Sequence, residues 1–304
     1  MLVSGVPKVL ASGQGGLLDV ALAPDYATSN RIFFSFSEER EDGNGTSVAS
    51  ARLVADEQGG GALEDVSVIF RQTPKFSGRH HFGSRLAFAP DGRLFVTLGE
   101  RNSERARAQT LDSQIGKVVR IERDGSVPAD NPFIGRAGAM PEIWSYGHRN
   151  IQGAALHPGT GELWTNEHGP KGGDELNIIT KGANYGWPKI TYGVNYDGTV
   201  ITEATEADGM QQPETYWVPS IAPSGMAFLT SARYGAAWQG SLFIGSLKFG
   251  TLHRLEVAGG KVQREEKLLQ GNGERIRDVR QGPDGLLYMV TDSPQGRLLR
   301  LQPN

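Results

Sequence analysis

Five times along this chain a short apolar run meets a turn and is followed by a second apolar run, and no other feature restricts the fold as much. The first copy is Leu18-Asp19-Val20-Ala21-Leu22-Ala23-Pro24-Asp25, then Arg31-Ile32-Phe33-Phe34-Ser35-Phe36. It returns at Arg85-Leu86-Ala87-Phe88-Ala89-Pro90-Asp91 with Leu94-Phe95-Val96-Thr97, and at Gly153-Ala154-Ala155-Leu156-His157-Pro158 with Glu162-Leu163-Trp164-Thr165. Weaker copies are Gly225-Met226-Ala227-Phe228-Leu229 with Ser241-Leu242-Phe243-Ile244-Gly245, and Asp278-Val279 leading through Pro283-Asp284-Gly285 to Leu286-Leu287-Tyr288-Met289-Val290. The turn positions 24, 90, 158, 230 and 283 lie 66, 68, 72 and 53 residues apart. One copy alone would be an ordinary hairpin. A repeat of this length, made of short strands and Asp-Gly-type turns, fits blades of about four strands in a β-propeller, whereas a sandwich has no reason to repeat. Helical periodicity is nearly absent, and 41 glycines in 304 residues are roughly twice the usual share of about 7%, so the chain turns often. No linker or low-complexity segment interrupts it, and an all-β single domain over 1–304 is expected.

Composition removes several function classes. A net charge of −3 and a pI near 6.1 do not suit a nucleic-acid binder. No apolar run approaches the roughly 18 residues of a spanning helix, so no membrane insertion is expected. With no cysteine there is no disulfide, thiolate metal site or cysteine nucleophile; cytosol and bacterial periplasm both fit. The opening Met1-Leu2-Val3-Ser4-Gly5-Val6-Pro7 lacks a charged segment followed by an apolar stretch, so no signal peptide is read in it.

A propeller gathers residues that flank the first two strands of each blade at one mouth. Four stretches qualify: Gly78-Arg79-His80-His81-Phe82-Gly83-Ser84-Arg85; Tyr146 to Gly153 with Glu167 to Asn177; Ser246-Leu247-Lys248-Phe249-Gly250; and Arg275-Ile276-Arg277-Asp278. Cations outnumber anions there, which points to a ligand with several carboxylates or phosphates. The plainer alternative pairs each arginine with a neighbour such as Asp278 or Glu274. His80-His81 has no Cys or H-x-x-x-H partner for zinc. A neutral imidazole is better suited to take a proton from a hydroxyl, although a structural histidine is equally compatible. The Gly169-Pro170 loop, beside Asp174 and Glu175, offers oxygen ligands of the kind calcium takes.

Taken in order, the set Gly13-Gln14-Gly15-Gly16-Leu17-Leu18, His81-x-x-x-Arg85-Leu86, Gly147-His148-Arg149-Asn150-x-Gln152-Gly153, Glu167-x-Gly169-Pro170, Asp174-Glu175-x-Asn177, Asn184-Tyr185-Gly186-Trp187-Pro188, Ser246-Leu247-Lys248-x-Gly250 and Arg275-x-Arg277-Asp278 closely resembles the soluble pyrroloquinoline-quinone (PQQ)-dependent dehydrogenases. Within that glucose/sorbosone dehydrogenase family it looks most like the aldose sugar dehydrogenases, and the resemblance covers nearly the whole chain.

The resemblance implies a six-bladed propeller, an aldose substrate oxidised at C1 to a lactone, an electron acceptor, and a periplasmic or secreted location. It implies His81 as the base toward the anomeric hydroxyl while hydride passes to the quinone, and Arg149 as stabiliser of charge on the quinone oxygen. Gln14 and Asn150 would hold the cofactor and the base region, and Lys248, Arg275 and Arg277 would pair with the cofactor carboxylates. One calcium would take the carbonyls of Gly169 and Pro170, and a second would take Glu175 and Tyr185. Trp187 is expected to pack.

Two departures stand out. His80 occupies a place where the family's glucose dehydrogenases have Asp, which bears on substrate preference. Five repeats are read where six are expected, so a chain shortened at its N-terminus, with a ring closed on five blades or open at one edge, is anticipated. Competing readings are a calcium-dependent lactonase, which would need carboxylate or Asn side chains on the metal, and a non-catalytic propeller that binds a sugar or a protein partner.

Overall fold

A computed structural model describes residues 2–271 and 273–303. The chain forms two compact units, Met1–Asn150 with Thr180–Pro188, and Ile151–Ile179 with Lys189–Asn304. Each of the five sequence repeats supplies two neighbouring strands of a separate sheet, so the architecture is all-β and built from five propeller blades.

In the first unit, blade 1 holds Val3–Ser4, Leu17–Leu22, Arg31–Arg40, Gly43–Ala55 and Gly61–Arg71, and blade 2 holds Gly83–Phe88, Leu94–Leu98, Lys117–Ile121 and Ile143–Tyr146. Within a blade, consecutive strands pair antiparallel; the short Val3–Ser4 strand joins Gly61–Arg71 in parallel. The anticipated Pro24-Asp25 turn is there, extended by one helical turn, Tyr26–Ser29. The alternation of Phe33 with Phe34 and Phe36 follows from the two-residue period of a strand. Phe33 joins Val48, Leu86, Val96 and Val119 in one core, while Phe34 and Phe36 join Ile32, Ala49 and Leu63 on the opposite face of blade 1. Each such side chain contributes about 1.5–3 kcal/mol on burial.

In the second unit, blade 3 holds Ile151–Leu156, Leu163–Glu167, Asp174–Ile179 and Thr215–Trp217. Blade 4 holds Pro223–Phe228, Leu242–Ser246, Leu252–Ala258 and Lys261–Leu268, and blade 5 holds Ile276–Gln281, Leu287–Thr291 and Leu298–Arg300. Trp164, Leu176, Met226, Phe228 and Ile244 pack blade 3 on blade 4, and Phe243, Leu252, Ile276, Val279 and Met289 pack blade 4 on blade 5.

One irregularity recurs in all five blades. The first strand shifts register against the second near its start, between Leu17 and Asp19, Gly83 and Leu86, Ile151 and Gly153, Pro223 and Met226, and Ile276 and Asp278. A bulge re-aims the side chain it carries. Gln152 and Arg277 occupy such bulges, and they meet: Arg277 Nη1 donates to Gln152 Oε1 at 3.4 Å. Among the described residues no helix is long and apolar enough to cross a membrane.

Candidate active site

His81 lies in the first unit, in the turn that enters blade 2, with φ at +50°. That backbone region is costly for a residue with a Cβ and persists only where the surroundings enforce it. Three contacts do so. The His81 N–H donates to Gln14 Oε1 at 2.8 Å, the His81 carbonyl accepts from the Arg101 N–H at 3.3 Å, and the ring Nδ1 lies 2.6 Å from Glu100 Oε1. The chain passes so close on the other side that a Cβ on Gly99 would stand 2.1 Å from the His81 carbonyl oxygen.

An ionised carboxylate only accepts, so Nδ1 carries the proton toward Glu100 and Nε2 keeps its lone pair. Burial lowers the His81 pKa from the ordinary histidine value, the Glu100 bond opposes this, and the Arg149 charge adds to the lowering. The ring is therefore neutral at pH 7 with a basic nitrogen. Glu100 itself is buried, and its Oε2 has no hydrogen-bond partner.

The other expected residues of this unit converge on the same turn. Asn150 Oδ1 accepts from the Gly83 N–H at 3.3 Å, and the Arg149 carbonyl accepts from the Glu100 N–H at 2.8 Å. The buried Arg149 guanidinium lies 5.3 Å from the Trp187 ring centre, so Trp187 packs, as expected, and packs on a cation. Buried Tyr185 stacks on His148 at 4.6 Å, and its hydroxyl accepts from the Thr180 N–H.

In the second unit the arginines meet a carboxylate that the sequence did not single out. Arg275 Nε and Arg277 Nη2 both reach Asp292 Oδ2 at 2.9 Å, whereas Glu274 binds Arg297 and Asp278 binds Arg280. Partial burial works against the Asp292 anion, yet the charges of Arg277 and Arg275 hold its pKa below the usual carboxylate range. Both side chains meet at this one carboxylate, and both stay open to solvent, at 54% and 39% exposure. Arg275 Nη1 also donates to the Leu247 carbonyl at 3.2 Å; next to it is exposed Lys248.

From there hydrogen bonds run to the glycine-rich loop. The Leu247 N–H donates to the Ala222 carbonyl, and Asp174 collects the N–H groups of Gly169, Ile221 and Ala222 and the Ser220 hydroxyl at 2.6–2.9 Å. Asp174-Glu175 begins a strand, and Asp174 is fully buried. Its oxygens organise the loops that carry Gly169-Pro170 and lead to Lys248. Glu175 sits directly opposite Glu167 on the neighbouring strand, and Asn177 Nδ2 donates to both carboxylates. Burial and the Glu167 charge push the Glu175 pKa up to about 8. A close pair of carboxylates at neutral pH retains a proton or takes a cation.

Glu100 and Asp292 had not been singled out. Glu100 follows the second strand of its repeat, the place searched for chemistry, but Leu98-Gly99-Glu100 carries no motif of its own. Asp292 stands 15 residues beyond Arg277, and only the pairing of adjacent strands brings it back.

With this geometry in view, similarity is informative. The sequence profile of the family described as glucose/sorbosone dehydrogenase matches residues 1–300. This chain belongs to the glucose/sorbosone dehydrogenase family. Aldose sugar dehydrogenase YliI of Escherichia coli K12 is 51% identical to this family member over 304 residues, 99% of this chain and 81% of that protein. The crystal structure of the soluble aldose sugar dehydrogenase of Escherichia coli, in its apo form, matches with a TM-score of 0.94 at 49% identity, covering 99% and 86% of the two chains. The PQQ-bound form of aldose sugar dehydrogenase from Streptomyces coelicolor matches with a TM-score of 0.78 at 31% identity, covering 98% and 83%.

Proposed function

We propose that this glucose/sorbosone dehydrogenase family member oxidises aldose sugars at C1 to lactones with PQQ as its cofactor, and that it works in the periplasm or outside the cell. The observation that carries the reading is the His81–Glu100 pair: a buried, neutral imidazole with its Nδ1 proton fixed on a carboxylate. Such a pair serves to take a proton from a hydroxyl, because the carboxylate orients the ring and stabilises the imidazolium that forms.

The residues suit the cofactor. Arg275, Arg277 and Lys248 are solvent-accessible cations, a donor set matched to the carboxylates of a tri-acid. Gly169 and Pro170 lie on a loop pinned by Asp174, which suits main-chain oxygen ligation of calcium. Bound PQQ supplies a two-electron acceptor for the C1 hydride, with calcium polarising it.

The protein's own groups do the rest. His81 Nε2 takes the hydroxyl proton as C1 loses its hydride and becomes a lactone carbonyl. Glu100 bears the resulting imidazolium on its buried oxygen. Arg149, held on Trp187, contributes a fixed positive charge where negative charge develops. Gln14 and Asn150 keep the base turn in place through the His81 and Gly83 amides.

The test is aldose-dependent dye reduction after PQQ and calcium are added. Reduction that requires both additions is the expected result. Lactone hydrolysis without the quinone, or no reduction in a protein that binds it, would overturn the reading.

A further inference from the structure

We propose that Arg101 is a positioning residue for His81, a buried guanidinium that clamps the turn 78–82 and so keeps the imidazole seated on Glu100. The proposal rests on the reading of His81 as the base. Arg101 is 2% exposed, and its contacts fall on the residues around His81. Nη2 donates to the Gly78 carbonyl and to Asn44 Oδ1, both at 2.7 Å; Nε donates to the His80 carbonyl at 3.1 Å. The guanidinium lies 3.8 Å over the Phe82 ring, and the Arg101 N–H reaches the His81 carbonyl. One side chain thus holds the turn before and after the base. Asn44, in the strand Gly43–Ala55, anchors the clamp to blade 1, and its backbone also exchanges hydrogen bonds with Phe76.

The chemistry requires arginine. A planar fork meets acceptors from several nitrogens in fixed directions while stacking flat on an aromatic face, whereas a lysine ammonium offers three donors on one atom and no plane to stack. The arrangement is poor as a device for stability alone. Burial drives the Arg101 pKa down to about 10, and Nη1 lies buried with no hydrogen-bond partner. Arg101 itself has φ at +61°, as His81 has +50°. Departures from relaxed backbone at both partners of one contact, positions 81 and 101, are what a turn shaped to present one ring would show.

The Nδ1 proton shared with Glu100 gives a direct readout without cofactor or turnover. With the histidine rings labelled with nitrogen-15, a short bond of this kind appears as a downfield, slowly exchanging proton signal in the wild type. In Arg101→Lys that signal should broaden or vanish and its exchange with solvent should accelerate. In the PQQ- and calcium-loaded enzyme, kcat should fall about 10- to 100-fold with KM nearly unchanged, the cost of a base displaced by about 1 Å. If Arg101→Lys does not fold, Asn44→Ala removes one acceptor and should show the same changes to a smaller degree. A folded variant with the wild-type proton signal and exchange rate overturns the clamp. Full turnover in His81→Gln would remove the base reading, while loss of the proton signal in Arg101→Lys would still support the clamp.

Discussion

The His81 cluster in the first unit and the arginine cluster in the second are built on opposite principles. His81 and Glu100 side chains are 8% and 1% exposed, and His81 is fixed through its N–H, its carbonyl and its ring. Arg275 and Arg277 are half open to water and meet at Asp292, so a ligand can reach them. The difference follows from what each is asked to do. A base must have its basicity and direction set before substrate arrives, which needs burial and fixed partners. Cations that recruit an anionic cofactor must stay accessible.

The comparison breaks most sharply at His81. His81→Gln keeps the size and polarity of the side chain but removes the basic nitrogen, and kcat should fall about a hundred- to ten-thousand-fold. A smaller loss would mean that the buried cluster is scaffolding.

On the other side, Arg277→Ala should weaken PQQ affinity about 10- to 100-fold, the worth of a hydrogen bond to a charged group. Thermal stability should hardly move, because a solvent-exposed ion pair contributes little. Loss of stability with unchanged affinity would reverse the assignment of roles.

The smallest effect is one of pH. The folded-state pKa of His81 lies below its unfolded value, so the base stays neutral into mildly acid solution and kcat/KM should fall only below the ordinary histidine range. Between the two values the unfolded chain binds more protons, so this group's contribution to stability is lost as pH falls through them. Glu100 raises the His81 pKa. Glu100→Gln should therefore move the acid limb to still lower pH while reducing kcat, and a shift the other way would contradict the hydrogen-bond assignment.

Much of this was legible in the sequence, for physical reasons. The repeated strand pairs were, because alternation and turn chemistry are local: Leu94–Leu98 and Leu163–Glu167 begin where the apolar runs begin. His81, Gln14 and Asn150 were legible as a set, and the structure joins all three around one turn. What was not legible depends on partners far along the chain. Asp292 is one carboxylate among 34 acidic residues until strand pairing places it beside Arg275 and Arg277. Arg101 gives no signal as a clamp, since the carbonyls it holds belong to no side chain. The burial of Asp174 has no local signal, because its loop partners, Ser220 to Ala222, lie more than 40 residues away.

The most direct measurement of the central claim, that the base and the cofactor cations are separate devices, is a visible-range titration of PQQ into His81→Gln with calcium present. The account predicts a stoichiometric complex of wild-type affinity that does not reduce dye when an aldose is added. Failure of the folded variant to bind the quinone, or binding accompanied by wild-type turnover, would contradict it.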